Sequence, residues 1–202
     1  AQEVITGTYV GDYDYVLDLL DRCYFPTREG VANFHDNFVD ALILAGEEKI
    51  AEGKVEQAVT LYKKAFTYPE NHQVFLVDER ATHDAQINYC LGEAYAALGQ
   101  DAEAEKYWKL AAEQDYELKG SKDFRYWTGL ALERLGRKAE AEAIFSALVA
   151  DGEAAVVTQH VNFYGAEGTT GVTVDIINSA AYYTQALGHL GLGHRGKAKC
   201  SA

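Results

Sequence analysis

The sequence contains no methionine, two prolines and three cysteines in 202 residues. Proline is the strongest helix breaker, so its scarcity leaves room for long helical stretches. The cysteines, Cys23, Cys90 and Cys200, are odd in number and widely spaced, with no C-x-x-C pair. That excludes a disulfide framework and a thiolate metal knuckle. They read as three reduced thiols in helix packing and point to the cytoplasm. Positive charge is also in deficit: 18 Lys and Arg face 31 Asp and Glu, for a net charge of −13. A chain this acidic is repelled by phosphate, which argues against nucleic acid or an anionic membrane as partner. No window approaches the roughly 18 apolar residues of a membrane span. The chain begins at Ala1, as expected of a fragment or a processed chain. A start such as Ala-Gln is also what removal of a signal peptide leaves, which keeps secretion open.

Hydrophobic residues make up 48% and charged residues 24%. This is a globular composition, and the abundance of alanine favours helix. The clearest stretch is 88–113, NYCLGEAYAALGQDAEAEKYWKLAAE. It predicts two helices joined by a turn at Gly99. Small residues (Gly92, Ala104, Ala111) mark where the helices touch, and Leu91, Tyr95, Leu98 and Trp108 lie one turn away. The same spacing recurs. Gly53 is preceded by Gly46 and followed by Ala58, Tyr62 and Ala65. Gly136 is preceded by Gly129 and followed by Ala141, Phe145 and Leu148. Gly193 is preceded by Ala186 and followed by Ala198. A weaker copy has Gly11 with Val16, Leu20 and Cys23, without a convincing helix before it.

This pattern resembles the tetratricopeptide repeat (TPR), a helix–turn–helix unit of about 34 residues. The resemblance implies an all-α fold, an α-α superhelix of TPR-like right-handed solenoid type with irregular inter-repeat insertions. Small residues let paired helices approach to about 8–10 Å, and no single unit buries its apolar stripe alone. The units fall around 11–26, 39–69, 85–115, 122–150 and 179–202, in one domain. Lys49 and His189 stand where the family usually has tyrosine. The turn glycines are 42, 46, 37 and 57 residues apart. Only the third step is close to the ideal repeat.

The excess residues form insertions, chiefly 67–82 and 150–178. In the first, the stretch from His72 to Val77 suggests a short extended segment. The second carries Val-rich pieces around Gly165, Gly168 and Gly171. The order Tyr-x-Pro-Thr-Arg-x-Gly from Tyr24, then Tyr-Pro-Glu-Asn from Tyr68, then Tyr107-Trp108 is similar to the C-terminal repeat region of large bacterial proteins of unknown function. In those proteins a mutarotase-like β-sandwich domain precedes the repeats.

Motifs for chemistry are thin. His189 and His194 are five apart, off a common helical face, whereas zinc pairs prefer four. Asp12, Asp14, Asp18 and Asp21 lack the glycine and terminal glutamate of a calcium loop and read as a solvated helix face. The glycines of YGAEGTTGV have no lysine to complete a phosphate loop, and Glu167 would repel phosphate. There is no G-x-S-x-G, and Ser121, Ser146 and Ser179 have no evident His–acid companions in the sequence. We therefore expect no enzyme, no cofactor and no metal.

The family resemblance implies that the first helix of each unit lines an inner groove. Its groove places fall on Glu47; on Gln86, Tyr89 and Glu93; on Asp123, Tyr126, Leu130 and Arg134; and on Tyr183 and Leu187. The repeats that clamp a chaperone's terminal carboxylate use Lys and Asn on these helices. Here the equivalent places hold Ile43, Glu47, Cys90, Asp123 and Trp127, which do not favour a carboxylate. The expected function is a non-catalytic scaffold for protein–protein or intramolecular domain binding. Its partner would be a protein, a peptide or a missing N-terminal domain of its own. The alternative is an accessory helical domain of a bacterial carbohydrate-active enzyme whose catalytic or sugar-binding domain is missing.

Overall fold

The structure is a computed structural model that describes residues 2–25, 34–67, 69–72, 83–114, 124–157 and 171–201. The described residues form ten α-helices in two compact units, Ala1–Gly120 and Ser121–Ala202. The first unit holds α1 (Gln2–Val10), α2 (Tyr13–Arg22), α3 (Phe34–Ala51), α4 (Val55–Lys64), α5 (Asp84–Ala97) and α6 (Asp101–Ala112). The second holds α7 (Arg125–Arg134), α8 (Lys138–Ala155), α9 (Gly171–Gly191) and α10 (Arg195–Ser201).

Five glycines fix the architecture. Gly11, Gly53, Gly99, Gly136 and Gly193 have φ of 81°, 76°, 69°, 76° and 75°, and among the described residues no others have positive φ. Each ends the first helix of a hairpin in the same way. The residue after the glycine donates its N–H to a carbonyl five residues back: Asp12 to Gly7 (3.0 Å), Lys54 to Lys49 (2.8 Å), Gln100 to Tyr95 (2.9 Å), Arg137 to Leu132 (2.9 Å) and His194 to His189 (2.8 Å). This left-handed cap suits glycine because a Cβ is disfavoured there. The described residues therefore form five helical hairpins, α1/α2 through α9/α10.

Within the hairpins, glycine faces an aromatic ring. A Cβ on Gly46 would sit 2.2 Å from the Tyr62 ring, one on Gly92 2.4 Å from the Trp108 indole, and one on Gly129 2.3 Å from the Phe145 ring. The small residue and the ring are complementary halves of one contact, which brings the helices close. In the first unit each helix also packs on the next, and α3 touches both α1 and α5. Its core contains Val16, Leu20, Phe38, Leu42, Ile87 and Leu91, each nearly or fully buried.

Two expectations change. A helix, α1, does precede Gly11. Its Ile-Thr-Gly-Thr run is poor in helix formers, but tertiary packing overrides propensity: Val4 and Gly7 are buried, and Thr8 Oγ1 donates to Val4 O at 2.9 Å. The second insertion is also shorter than the repeat spacing implies. α8 continues to Ala155 and α9 starts at Gly171, so much of the Val-rich sequence from 172 is helical. Asn178 ties the two helices, its Oδ1 accepting the Val157 N–H and its Nδ2 donating to Val157 O, both at 2.9 Å.

The α8–α9 contact is the most intimate of the second unit. Gly152 lies against the Ala181 carbonyl, where a Cβ would approach to 2.6 Å. Gly188 lies against the Phe145 carbonyl at the same distance. Gly191 faces the Phe145 ring at 2.3 Å, so both Gly129 and Gly191 pack closely on this ring. In the first insertion, His72 forms an isolated parallel bridge with Phe25. The rest of the proposed extended segment, 73–77, lies outside the described residues.

Candidate functional site

The first helices of the hairpins carry the residues expected to line a groove. Counting back from each turn glycine puts Ile43, Tyr89, Tyr126 and Tyr183 in one register, and Glu47, Glu93, Leu130 and Leu187 four residues on, one turn further along the same face.

In the first unit this face is acidic. Glu47 of α3 is exposed as a residue, yet its carboxyl is crowded enough that burial pushes its pKa up. On α5, Gln86, Tyr89 and Glu93 are half-buried and Cys90 is buried between them. The Cys90 thiol is pushed up to about 12, first by burial and then by the charges of Glu47 and Glu93. It is therefore a protonated, unreactive thiol at neutral pH. Glu93 already has an internal task, accepting the Trp108 indole N–H at 3.1 Å. Nearer the helix starts, His83 Nε2 lies 3.1 Å from Asp36 Oδ1. Burial again raises Asp40, and Asp36 adds to the rise while His83 opposes it. Asp40 belongs to this face although the repeat template did not select it as a groove residue. Its spacing on the helix, seven before Glu47, was available to find it.

In the second unit the same registers are apolar. Tyr126 is not on an open face: it is 9% exposed, with its ring 5.8 Å from Phe145. Its hydroxyl is pushed up mainly by burial, with Glu133 and Tyr183 adding to it. Tyr126 therefore packs into the core against Phe145, unlike Tyr183 at the equivalent place on α9. Leu130 and Leu187 are half-buried and Arg134 is exposed. Asp123 lies outside the described residues. Tyr183 is 54% exposed and Leu190 is 44% exposed. Tyr183, Leu187 and Leu190 repeat at i, i+4 and i+7, forming one stripe along α9. Leu190 was missed because the template stops at the groove places, but the seven-residue spacing marks it.

For metal chemistry, the His189 and His194 rings are 5.9 Å apart and tilted. Among the described residues no group of three His, Cys, Asp or Glu is arranged to hold a metal. Two members of the acidic run are engaged in ion pairs, Asp18 with Arg22 and Asp21 with Lys64, each at 2.8 Å. Among the described residues no helix is long and apolar enough to cross a membrane. Ser146 and Ser179 are exposed on α8 and α9, and Ser121 lies outside the described residues.

No family model matches the sequence, and no curated protein does. A solved structure of MamA AMB-1 is similar over 99% of this chain and 91% of that one, at 17% identity and a TM-score of 0.35. A likeness that faint transfers nothing. The fold rests on the five left-handed glycine caps and the glycine–aromatic contacts of the chain itself, which make it an all-α protein of TPR-like helical hairpins.

Proposed function

We propose that the chain is a non-catalytic scaffold that binds segments of another protein on the first-helix face of each of its two units. The observation carrying this reading is the stripe on α9, where Tyr183 and Leu190 present large side chains 54% and 44% exposed beside Leu187. Exposed apolar side chains in a row suit a partner better than water, and tyrosine combines contact area with a polar end. On the α3 and α5 face, Asp40 and Glu47 are carboxylates that already resist ionisation. That face therefore disfavours an acidic segment. The resemblance to repeat regions that follow a β-sandwich domain makes a domain elsewhere in the same polypeptide one candidate occupant.

The test is to select peptides on the immobilised protein from a random library and measure their affinity for variants. Leu187→Glu or Tyr183→Ala should weaken a selected peptide by about tenfold or more, the cost of an interface anchor above 1 kcal/mol. Glu142→Ala, on the exposed side of α8, should leave it unchanged. Peptides that bind all variants alike would refute the reading.

A further inference from the structure

The last turn of a helix leaves carbonyls without intrahelical partners. At the end of α2 they are satisfied from about fifty residues away. Asn71 Nδ2 donates to Leu20 O at 2.7 Å and to Cys23 O at 2.6 Å. His72 Nε2 lies 2.8 Å from the same Leu20 carbonyl. A carbonyl only accepts, so Nε2 carries the proton and Nδ1 is the bare nitrogen. In return the Phe25 N–H donates to Asn71 O at 2.8 Å, and the His72 N–H closes a turn on Pro69 O at 3.0 Å. The imidazole is 5% exposed. It stands edge-on between two rings, with its centroid 5.5 Å from Phe25 and 5.2 Å from Phe38. Its Nδ1 is buried with no hydrogen-bond partner.

We infer that His72 is a proton-sensitive latch, holding residues 69–72 on the end of α2 when neutral and releasing them when protonated. A bare lone pair in this apolar slot is tolerable. A second N–H bearing a full charge, with nothing to accept it, is not. The charged groups facing the ring are Asp21 of α2, which favours the proton, and Lys64 of α4, which opposes it. These two are paired with each other at 2.8 Å, so they largely offset one another. From α3 and from the chain after α2 come the Phe38 and Phe25 rings, which carry no charge. Burial is the largest influence and holds His72 below the ordinary histidine range.

The sign follows from linkage. The closed latch binds a proton less readily than the open one, so it is strongest above the ordinary histidine value of about 6.5. It weakens as pH falls from there until the lowered pKa is passed, and opening becomes about tenfold more frequent per pH unit within that window. Release would free the Leu20 and Cys23 carbonyls and detach the first hairpin from the chain that follows the second.

The experiment is amide exchange by NMR on the full chain between pH 7.5 and 5, corrected for intrinsic exchange, with the His72 ring protons followed in parallel. Protection of the Phe25 amide should fall about tenfold per unit below the ordinary histidine value, while the Leu42 and Leu91 amides hold. His72→Phe should abolish that pH dependence. Three results would overturn the latch: flat Phe25 protection, a fall that persists in His72→Phe, or parallel loss at Leu42. If the variant does not fold, the wild-type ring titration decides alone. A His72 pKa at or above the ordinary value overturns the proposal, and one below it supports it.

Discussion

Replacing Gly129 by alanine should destabilise the protein even though alanine is the better helix former. Two effects oppose each other. In a helix interior Gly→Ala gains about 1 kcal/mol from propensity. Against that, the new methyl would lie 2.3 Å from Phe145 Cε1 and 2.7 Å from Cζ, where ordinary contact needs about 1 Å more. Relief would normally come from a shift of the ring. Phe145 is fully buried, however, and Gly191 is packed as closely on the same ring, its ideal Cβ position lying 2.3–2.5 Å from it. With the ring crowded by two helices, the strain should reach the upper part of the roughly 1–3 kcal/mol typical of overpacking. The net loss is then about 1–2 kcal/mol, a fall in melting temperature of about 2–8 °C for a chain of this size. Urea unfolding monitored by circular dichroism gives the number. Adding Phe145→Leu should recover part of the loss from Gly129→Ala, with a coupling of about 1–2 kcal/mol in the double-mutant cycle. Gly196→Ala is the control: nothing lies within 4 Å of that position, so only the propensity gain remains. If Gly129→Ala stabilises the protein as much as Gly196→Ala does, the close contact on Phe145 is wrong.

Other outcomes follow from the same geometry. Asn178→Ala leaves both polar groups of Val157 without their partner and should cost about 1–3 kcal/mol, with faster exchange of the Val157 amide as its local signature. Cys90, with its thiol pushed up to about 12, should resist alkylation at pH 8 in the folded protein, while Cys23, which is half-buried, reacts first; equal rates would contradict the burial of Cys90. Glu47→Gln should raise stability at pH 7 by less than about 1 kcal/mol, since an exposed residue is screened by solvent. The sign is that of a raised carboxylate: the folded state prefers the neutral acid, so wild type and variant converge in stability as pH falls below the ordinary glutamate range and part as it rises.

The hairpin turns were legible because their chemistry admits few substitutes. A left-handed cap calls for glycine at one place, and the ring nine residues later calls for a small partner at another, so Gly53, Gly99 and Gly136 with Tyr62, Trp108 and Phe145 announce themselves. α1 was not legible because its residues do not favour helix and only Val4 and Gly7, packed into the fold, hold it there. The contact between α8 and α9 was missed for a different reason. Gly152, Gly188 and Gly191 act between hairpins, whereas the repeat template describes contacts inside one. Among the groove places, register alone puts Tyr126 and Tyr183 on equivalent positions. Their burial differs because Phe145 lies against the first, and a neighbour of that kind is invisible to helical spacing.

The pair of hydrogen bonds between Asn178 and Val157 bears on which side chain position 178 can hold. One carboxamide meets both polar groups of a single backbone residue, as a neighbouring strand would. Only a carboxamide carries a donor and an acceptor side by side: Asp lacks the donor and Leu has neither. The exit of α8 is thus set by the chemistry of one side chain on α9, not by a left-handed glycine of the kind that ends each first helix.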